Sequence, residues 1–299
     1  MTAVERYERH VKRSRPGVAA RTAAKSTLRT VGRLSAPWRP GPDVIGIGAK
    51  RGGSTSLHGY LLDHPSVLPT FPRPERVKGT YYFTDHFDRG EAWYRSHFPT
   101  IATRAATRRH TGAAAALEST PYYLFHPLAP ERARATVPEA QIVVALRNPV
   151  ERAWSHWKER RANHDEPLDF AAALAAEAAR TAGEHERIGG DPTAVSHAHR
   201  HHTYVAQGCY TDALGRWFAA YGRDAVHVIV CDELFADPTS VMGRLYRDLG
   251  LPDHTLGDPR VHNDAGGDAM DPATRARLVE RYRDEVRRLE ELLGRDLPW

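Results

Sequence analysis

Nine residues, Gly48-Ala-Lys-Arg-Gly-Gly-Ser-Thr-Ser56, bring together three glycines, two cations and three hydroxyls. That mixture suits a phosphate-like anion. Glycine admits positive φ and lets backbone N–H groups approach an anion closely. Where such a loop opens a helix, its aligned N–H groups form a ready anion site. Ser54, Thr55 and Ser56 add hydroxyl donors, and one of them is expected to cap the helix. Gly48 and Gly53 match the glycine spacing of the nucleotide motif G-x-x-x-x-G-K-[ST], but Ser54 stands where its lysine belongs. Lys50 and Arg51 precede the glycine pair instead. The loop predicts phosphate-type binding that departs from an ATP or GTP site.

A second anchor is Leu146-Arg147-Asn-Pro-Val-Glu-Arg-Ala-Trp-Ser155. Pro149 stops a strand and opens a helix. Arg147 falls at the strand's carboxyl end, where open α/β sheets bind ligands. Ser155 follows eight positions later, about two turns into the helix. Both can reach one dianion, because an arginine fork matches a terminal phosphate bidentately. The competing role for Arg147 is a structural ion pair.

The elements that must position these anchors follow from apolar runs and helical spacing. Short apolar runs predict buried strands over 43–48, 114–118, 141–146 and 226–231. Helical spacing runs over 54–62, where Leu57, Leu61 and Leu62 share a face, and over 129–136, 150–163, 168–182, 210–221, 240–249 and 272–293. Strands alternating with helices imply βαβ units and a parallel sheet covered on both faces. The breaker cluster 35–42 separates a leader, 1–42, from a domain, 43–299, in which the Gly- and His-rich stretch 180–203 reads as an inserted loop. Trp154 and Trp157, three apart, read as core.

The 299 residues suffice for one large α/β domain. Residues 1–40 hold ten Lys/Arg against two Glu, a net of +8, while the whole chain is +5, so the remainder sums to −3. The basic charge therefore sits in the leader, which argues against a nucleic-acid surface on the body. The leader is expected to be a solvated extension or a helix packed on the body, with membrane-surface contact through residues 1–40 as the alternative. Two cysteines, Cys209 and Cys231, form no disulfide framework. With no apolar run of about 18 residues and no signal-peptide core, a cytoplasmic location is expected.

Together the two anchors resemble the PAPS-dependent sulfotransferase superfamily, PAPS being 3′-phosphoadenosine-5′-phosphosulfate. Lys78-Gly-Thr-Tyr-Tyr-Phe83, Trp93-Tyr-Arg-Ser-His-Phe-Pro99, Glu118-Ser-Thr-Pro-Tyr-Tyr123, the helix around Tyr210–Phe218, Asp232–Pro238 and the terminal Gly294–Trp299 are similar to segments of the heparan sulfate N- and 3-O-sulfotransferases and their bacterial relatives. The resemblance implies a P-loop-like three-layer α/β fold, a central, mostly parallel sheet flanked by helices. It implies transfer of a sulfonate group from PAPS to an acceptor hydroxyl or amine, with release of PAP and no required metal. It places Gly52, Gly53, Ser54, Thr55 and Ser56 on the 5′-phosphosulfate and Arg147 with Ser155 on the 3′-phosphate. Arg51 falls where the family usually carries a lysine contacting the transferring group, and Lys50 is the adjacent alternative. A cation there offsets charge developing on the leaving phosphate oxygen.

The family segment often reads Lys-Glu-x-His-Phe-Phe, its glutamate acting as general base. Here Gly79 takes the glutamate position and Tyr81 the histidine position, and Ser119 replaces a lysine that often precedes the Thr-Pro step. Candidate bases are then Glu118, Glu75, His58, His86 and Lys78, the last needing a depressed pKa. His197-Ala-His-Arg-His-His202 reads as a polar, acceptor-side loop rather than a metal site. The acceptor classes left open are a glycan, a glycolipid and a small secondary metabolite. Competing functions are a P-loop nucleotide kinase or hydrolase, and a catalytically weakened nucleotide-binding module that binds PAP without transfer.

Overall fold

The computed structural model describes residues 27–72, 78–257 and 269–299. The first 26 residues of the expected leader and the candidate base Glu75 lie outside the described residues. Five strands form one parallel sheet in the order β2-β3-β1-β4-β5. They are β1 (Val44–Gly48), β2 (Val67–Leu68), β3 (Ala115–Ser119), β4 (Gln141–Leu146) and β5 (Val226–Val230). β1 lies between β3 and β4, so the chain leaves it for strands on either side. This is the topological switch point, and the crevice for a ligand opens beyond the carboxyl ends of β1 and β4.

The strand sequences are apolar throughout because both faces are covered. Ile45, Ile47, Ile142, Val144 and Leu146 face one layer. There they meet α4 (Ala129–Thr136), α9 (Tyr210–Tyr221) and the long α12 (Pro272–Leu293) through Ala133, Leu214, Trp217 and Leu289. Val44, Val143 and Ala145 face the other layer. It is made by α1 (Ser54–Asp63), α10 (Cys231–Ala236) and α11 (Pro238–Asp248), contributing Leu57, Leu61, Leu234, Met242 and Tyr246. Period-two alternation along each strand thus feeds two separate cores, giving three layers. Among the described residues no helix is long and apolar enough to cross a membrane.

Several features differ from the sequence reading. β2 is two residues long, too short to leave a pattern. α2 (Gly90–Arg95) and α3 (Ile101–Thr111) carry no apolar stripe; α3 is set instead by its ends, Thr100 Oγ1 accepting from Thr103 N at 3.2 Å and Gly112 closing it at φ 84°. Cys231, expected to end β5, begins α10. Residues 180–203, read as a loop, contain α7 (Glu184–Gly190) and α8 (His197–His201), with α8 packed against both α7 and α6 (Phe170–Thr181). Part of the expected leader is docked: residues 27–34 are helical, and buried Arg39 stacks on Phe71 at 4.1 Å and donates to the Phe98 carbonyl.

Candidate active site

The chain turns sharply after β1. Ala49 N donates to the Ala145 carbonyl at 2.7 Å, extending the β1–β4 pairing by one bond into the loop. Arg51 then adopts φ 65° and Gly53 φ 88°. A Cβ on Gly52 would lie 2.8 Å from the Ala145 oxygen, and one on Gly53 would lie 2.6 Å from Cys231 Sγ. Glycine is required at both positions. Arg51, a non-glycine residue in the left-handed region, holds a conformation of the kind that persists where surrounding structure enforces it. Gly53 is itself the N-cap of α1 and no side chain caps the helix. The expected hydroxyl cap is therefore absent, which leaves the first-turn N–H groups directed at the crevice.

α5 (Pro149–Ala162) starts beyond β4, as Pro149 and Asn148 dictate. Asn148 Oδ1 accepts from Val150 N at 2.9 Å, and the Arg147 carbonyl accepts from Tyr210 OH at 2.9 Å. These bonds fix the backbone that carries Arg147. Both anchors meet in one cavity of 740 Å³, lined from the loop by Lys50, Arg51, Gly53, Ser54 and Thr55 and from β4–α5 by Arg147 and Ser155. Arg51 Nε donates to Ser155 Oγ at 3.0 Å, joining them directly. Gly52 and Ser56 belong to the same loop but are not among the lining residues, and Ser56 is fully buried in α1.

Three further cations enter the wall: Lys158, Arg160 and Arg200. With Lys50, Arg51 and Arg147 they make six basic side chains against the carboxylates Glu151 and Glu159. Arg200 pairs with Asp85 and Arg160 with Asp165 behind the wall, and the basic lining that remains favours an anion. Lys158 and Glu159 follow Ser155 by three and four positions, so helical spacing alone places them on its face. Arg200 and His201 carry no such signal, because they arrive from α8, far along the chain. Trp154, expected in the core, stacks on Trp157 at a ring separation of 4.8 Å but also lines the cavity.

Lys50 lies at the back of this wall. Its Nζ donates to the Arg200 carbonyl at 3.2 Å and lies 3.2 Å from His201 Nδ1 and 3.9 Å from Glu159. Burial above all pushes its pKa down to about 7, Glu159 opposing and Arg160, Arg200 and Arg152 reinforcing the shift. Burial also lowers the Arg51 pKa and takes His201 down to about 2. His201 is therefore neutral, and its Nδ1 accepts from Arg160 Nη1 at 2.8 Å.

The remaining candidates divide. Lys78 Nζ donates to Ser54 Oγ at 3.3 Å and Thr55 Oγ1 at 3.4 Å, beside the loop, and burial lowers its pKa to about 8. His58 Nδ1 pairs with Ser119 Oγ at 2.8 Å, and burial, with Lys78 nearby, holds it at about 3. His86 packs edge-on against Trp93, away from the cavity lining. Glu118 corrects its assignment as a base. It is fully buried in β3, with Oε1 accepting from Thr80 N at 2.9 Å, Thr80 Oγ1 at 2.6 Å and Tyr123 OH at 2.8 Å, and Oε2 from Tyr94 OH at 2.5 Å. A carboxylate so enclosed organises the aromatic core and does not face the crevice. At Gly79 a Cβ would meet Thr120 Oγ1 at 2.1 Å and the Ser119 carbonyl at 2.3 Å, so the backbone here leaves no room for a glutamate.

Residues 42–255 match the family model described as the Sulfotransferase family. The chain is 29% identical over 213 residues to the bifunctional heparan sulfate N-deacetylase/N-sulfotransferase 1 of Caenorhabditis elegans and 28% identical over 213 residues to its Homo sapiens counterpart, covering 71% and 70% of this chain. It spans only 22% of the length of those relatives. A solved sulfotransferase from Alicyclobacillus acidocaldarius superposes with a TM-score of 0.63 at 27% identity, covering 86% of this chain and 97% of that one. The glycine loop, the parallel sheet that presents it and a match over more than two thirds of the residues lead to one assignment: the chain belongs to the sulfotransferase family.

Proposed function

We propose that this sulfotransferase takes its sulfonate from PAPS, passes it to a hydroxyl or amine of a carbohydrate, glycolipid or small metabolite, and releases PAP. The supporting observation is the convergence of two anion anchors, loop and β4–α5, on one cavity lined by six basic and two acidic side chains. In this reading the loop from Gly52 onward grips the 5′-phosphosulfate with its backbone N–H groups and the Ser54 and Thr55 hydroxyls, the buried Ser56 supporting it from within α1, and Arg147 with Ser155 holds the 3′-phosphate. Arg51 and Lys50 stand beside the bond that breaks and offset charge developing on the leaving oxygen. Transfer is in-line, so positioning and charge supply most of the acceleration.

Lys78 takes the acceptor's proton in this reading. It lies against Ser54 and Thr55, and its lowered pKa leaves a useful neutral fraction near pH 8. The crowding at Gly79 favours a second reading, a module that holds PAP without transferring sulfonate. Incubating the protein with radiolabelled PAPS and a panel of glycans, glycolipids and small hydroxyl or amine compounds separates the two. Labelled product is expected; PAP binding with no labelled product from any class would favour the module.

A further inference from the structure

The histidine-rich stretch 197–202, read from sequence as a polar loop, folds into α8 and its C-terminal cap. There His197, His202 and Asp165 each present one ligand atom, and the three atoms lie within 4.8 Å of one another. His197 Nε2 is 3.4 Å from Asp165 Oδ1. Contacts to the backbone and to Arg160 help to place the trio: His202 Nε2 lies 3.3 Å from the Asp165 carbonyl, which leaves its Nδ1 for an ion. Arg160 Nη1 donates to Asp165 Oδ2 at 3.0 Å, which orients the carboxylate and leaves Oδ1 toward the histidines. Ser196 Oγ caps α8 by accepting from His199 N at 3.1 Å. His202 N closes the helix on the Ala198 carbonyl at 2.8 Å.

The dimensions and the donor set suit a small ion of the zinc type. Tetrahedral coordination with bonds of about 2.0–2.1 Å needs ligand–ligand edges of roughly 3.3–3.4 Å. The Asp165–His197 edge already has that length, and the His202 ligand atom lies within 4.8 Å of both. Two imidazoles with one carboxylate match zinc and its first-row neighbours, whereas magnesium and calcium favour all-oxygen shells. Arg160 acts as the outer partner that fixes a metal-binding carboxylate. The His197 side chain is 59% exposed, so water has access to the remaining coordination positions.

We propose that Asp165, His197 and His202 form a binding site for a divalent transition-metal ion, which clasps α8 to the turn after α5. The ion touches no reacting group. Its effect is mechanical: α8 carries Arg200 and His201, both in the cavity wall, and the clasp stiffens that wall. The site stands independently of the sulfonate donor and acceptor.

The test uses the full chain stripped by a chelator, titrated calorimetrically with zinc chloride and, in parallel, magnesium chloride, with amide exchange followed across residues 196–202. The wild type is expected to bind one zinc per chain and no magnesium, and to exchange these amides more slowly with zinc. Exchanging both histidines, His197→Ala with His202→Ala, is expected to weaken zinc binding at least tenfold, since loss of an outer-shell partner alone typically costs about 10–100-fold, and to abolish the exchange effect. Should that pair disturb folding, the exposed His197→Ala alone serves. Zinc binding of wild-type strength in a folded variant overturns the proposal, as does a wild type that takes up no zinc at concentrations on the order of 100 µM.

Discussion

Arg51 Nε rests 3.0 Å from Ser155 Oγ, across the crevice between the loop after β1 and the helix after β4. Two segments a hundred residues apart in sequence are thereby held in register before any ligand arrives. A guanidinium already oriented loses little freedom on binding, so the bond preorganises the receptor.

Arg147→Ala removes the fork assigned to the 3′-phosphate. PAP affinity is expected to fall by about 1.5–3 kcal/mol, roughly ten- to a hundredfold, the worth of charge-assisted hydrogen bonds. Isothermal titration measures it, and an unchanged dissociation constant would place the phosphate elsewhere.

Lys78→Arg keeps the positive charge but removes a group that can surrender its proton near neutrality. Turnover is expected to drop by about a hundredfold or more while PAP affinity barely moves. In the wild type, the rate should climb as pH rises through about 8, where the Lys78 amine becomes neutral. A pH–rate profile of the two proteins decides this; a Lys78→Arg enzyme as fast as wild type would remove the proton-accepting role.

Lys50 predicts an opposition between binding and stability. Its folded pKa of about 7 lies below the ordinary 10.5, so the unfolded chain holds its proton more tightly. The resulting penalty on the fold is complete below about pH 7 and fades as pH rises toward 10.5. Lys50→Met is expected to stabilise the protein at pH 6 by about 2 kcal/mol, an advantage that shrinks by pH 9, while PAP binding weakens. Thermal melts at the two pH values check the sign. A Lys50→Met protein less stable than wild type at pH 6 would show that the amine's hydrogen bonds outweigh its burial.

Glu118→Gln is expected to lower stability by about 1–3 kcal/mol, because an amide N–H₂ must face hydroxyl or N–H donors that now meet a carboxylate. Urea unfolding reads this directly. Turnover per folded molecule should hold at low temperature; a selective collapse of turnover in a stable Glu118→Gln protein would return the residue to the chemistry.

Much of the frame was legible because its signals are local. The runs at β1 and β4 are apolar at every core position, and Pro149 marks the start of α5 within one residue of the expected 150. Glycine spacing announced the loop, and Arg147 and Ser155 followed from the strand–proline–helix order. Glu118 misled because its surroundings are non-local: Thr80, Tyr94 and Tyr123 close around it only after folding. Arg200 and His201 lie in a stretch read only as a polar, acceptor-side loop, since no periodic pattern tells that α8 docks against the glycine loop. Gly79 showed in sequence that a side chain was missing, but only the packing of Thr120 and Ser119 shows that none fits.

Lys50 Nζ reaches the carbonyl of a residue 150 positions further along the chain. A ribosome has therefore delivered most of the sheet before the receptor gains its last side. Small anions cannot template early collapse of such a chain; they capture finished molecules. Ligand added during refolding should accordingly raise the final yield of native protein without hastening its first compaction.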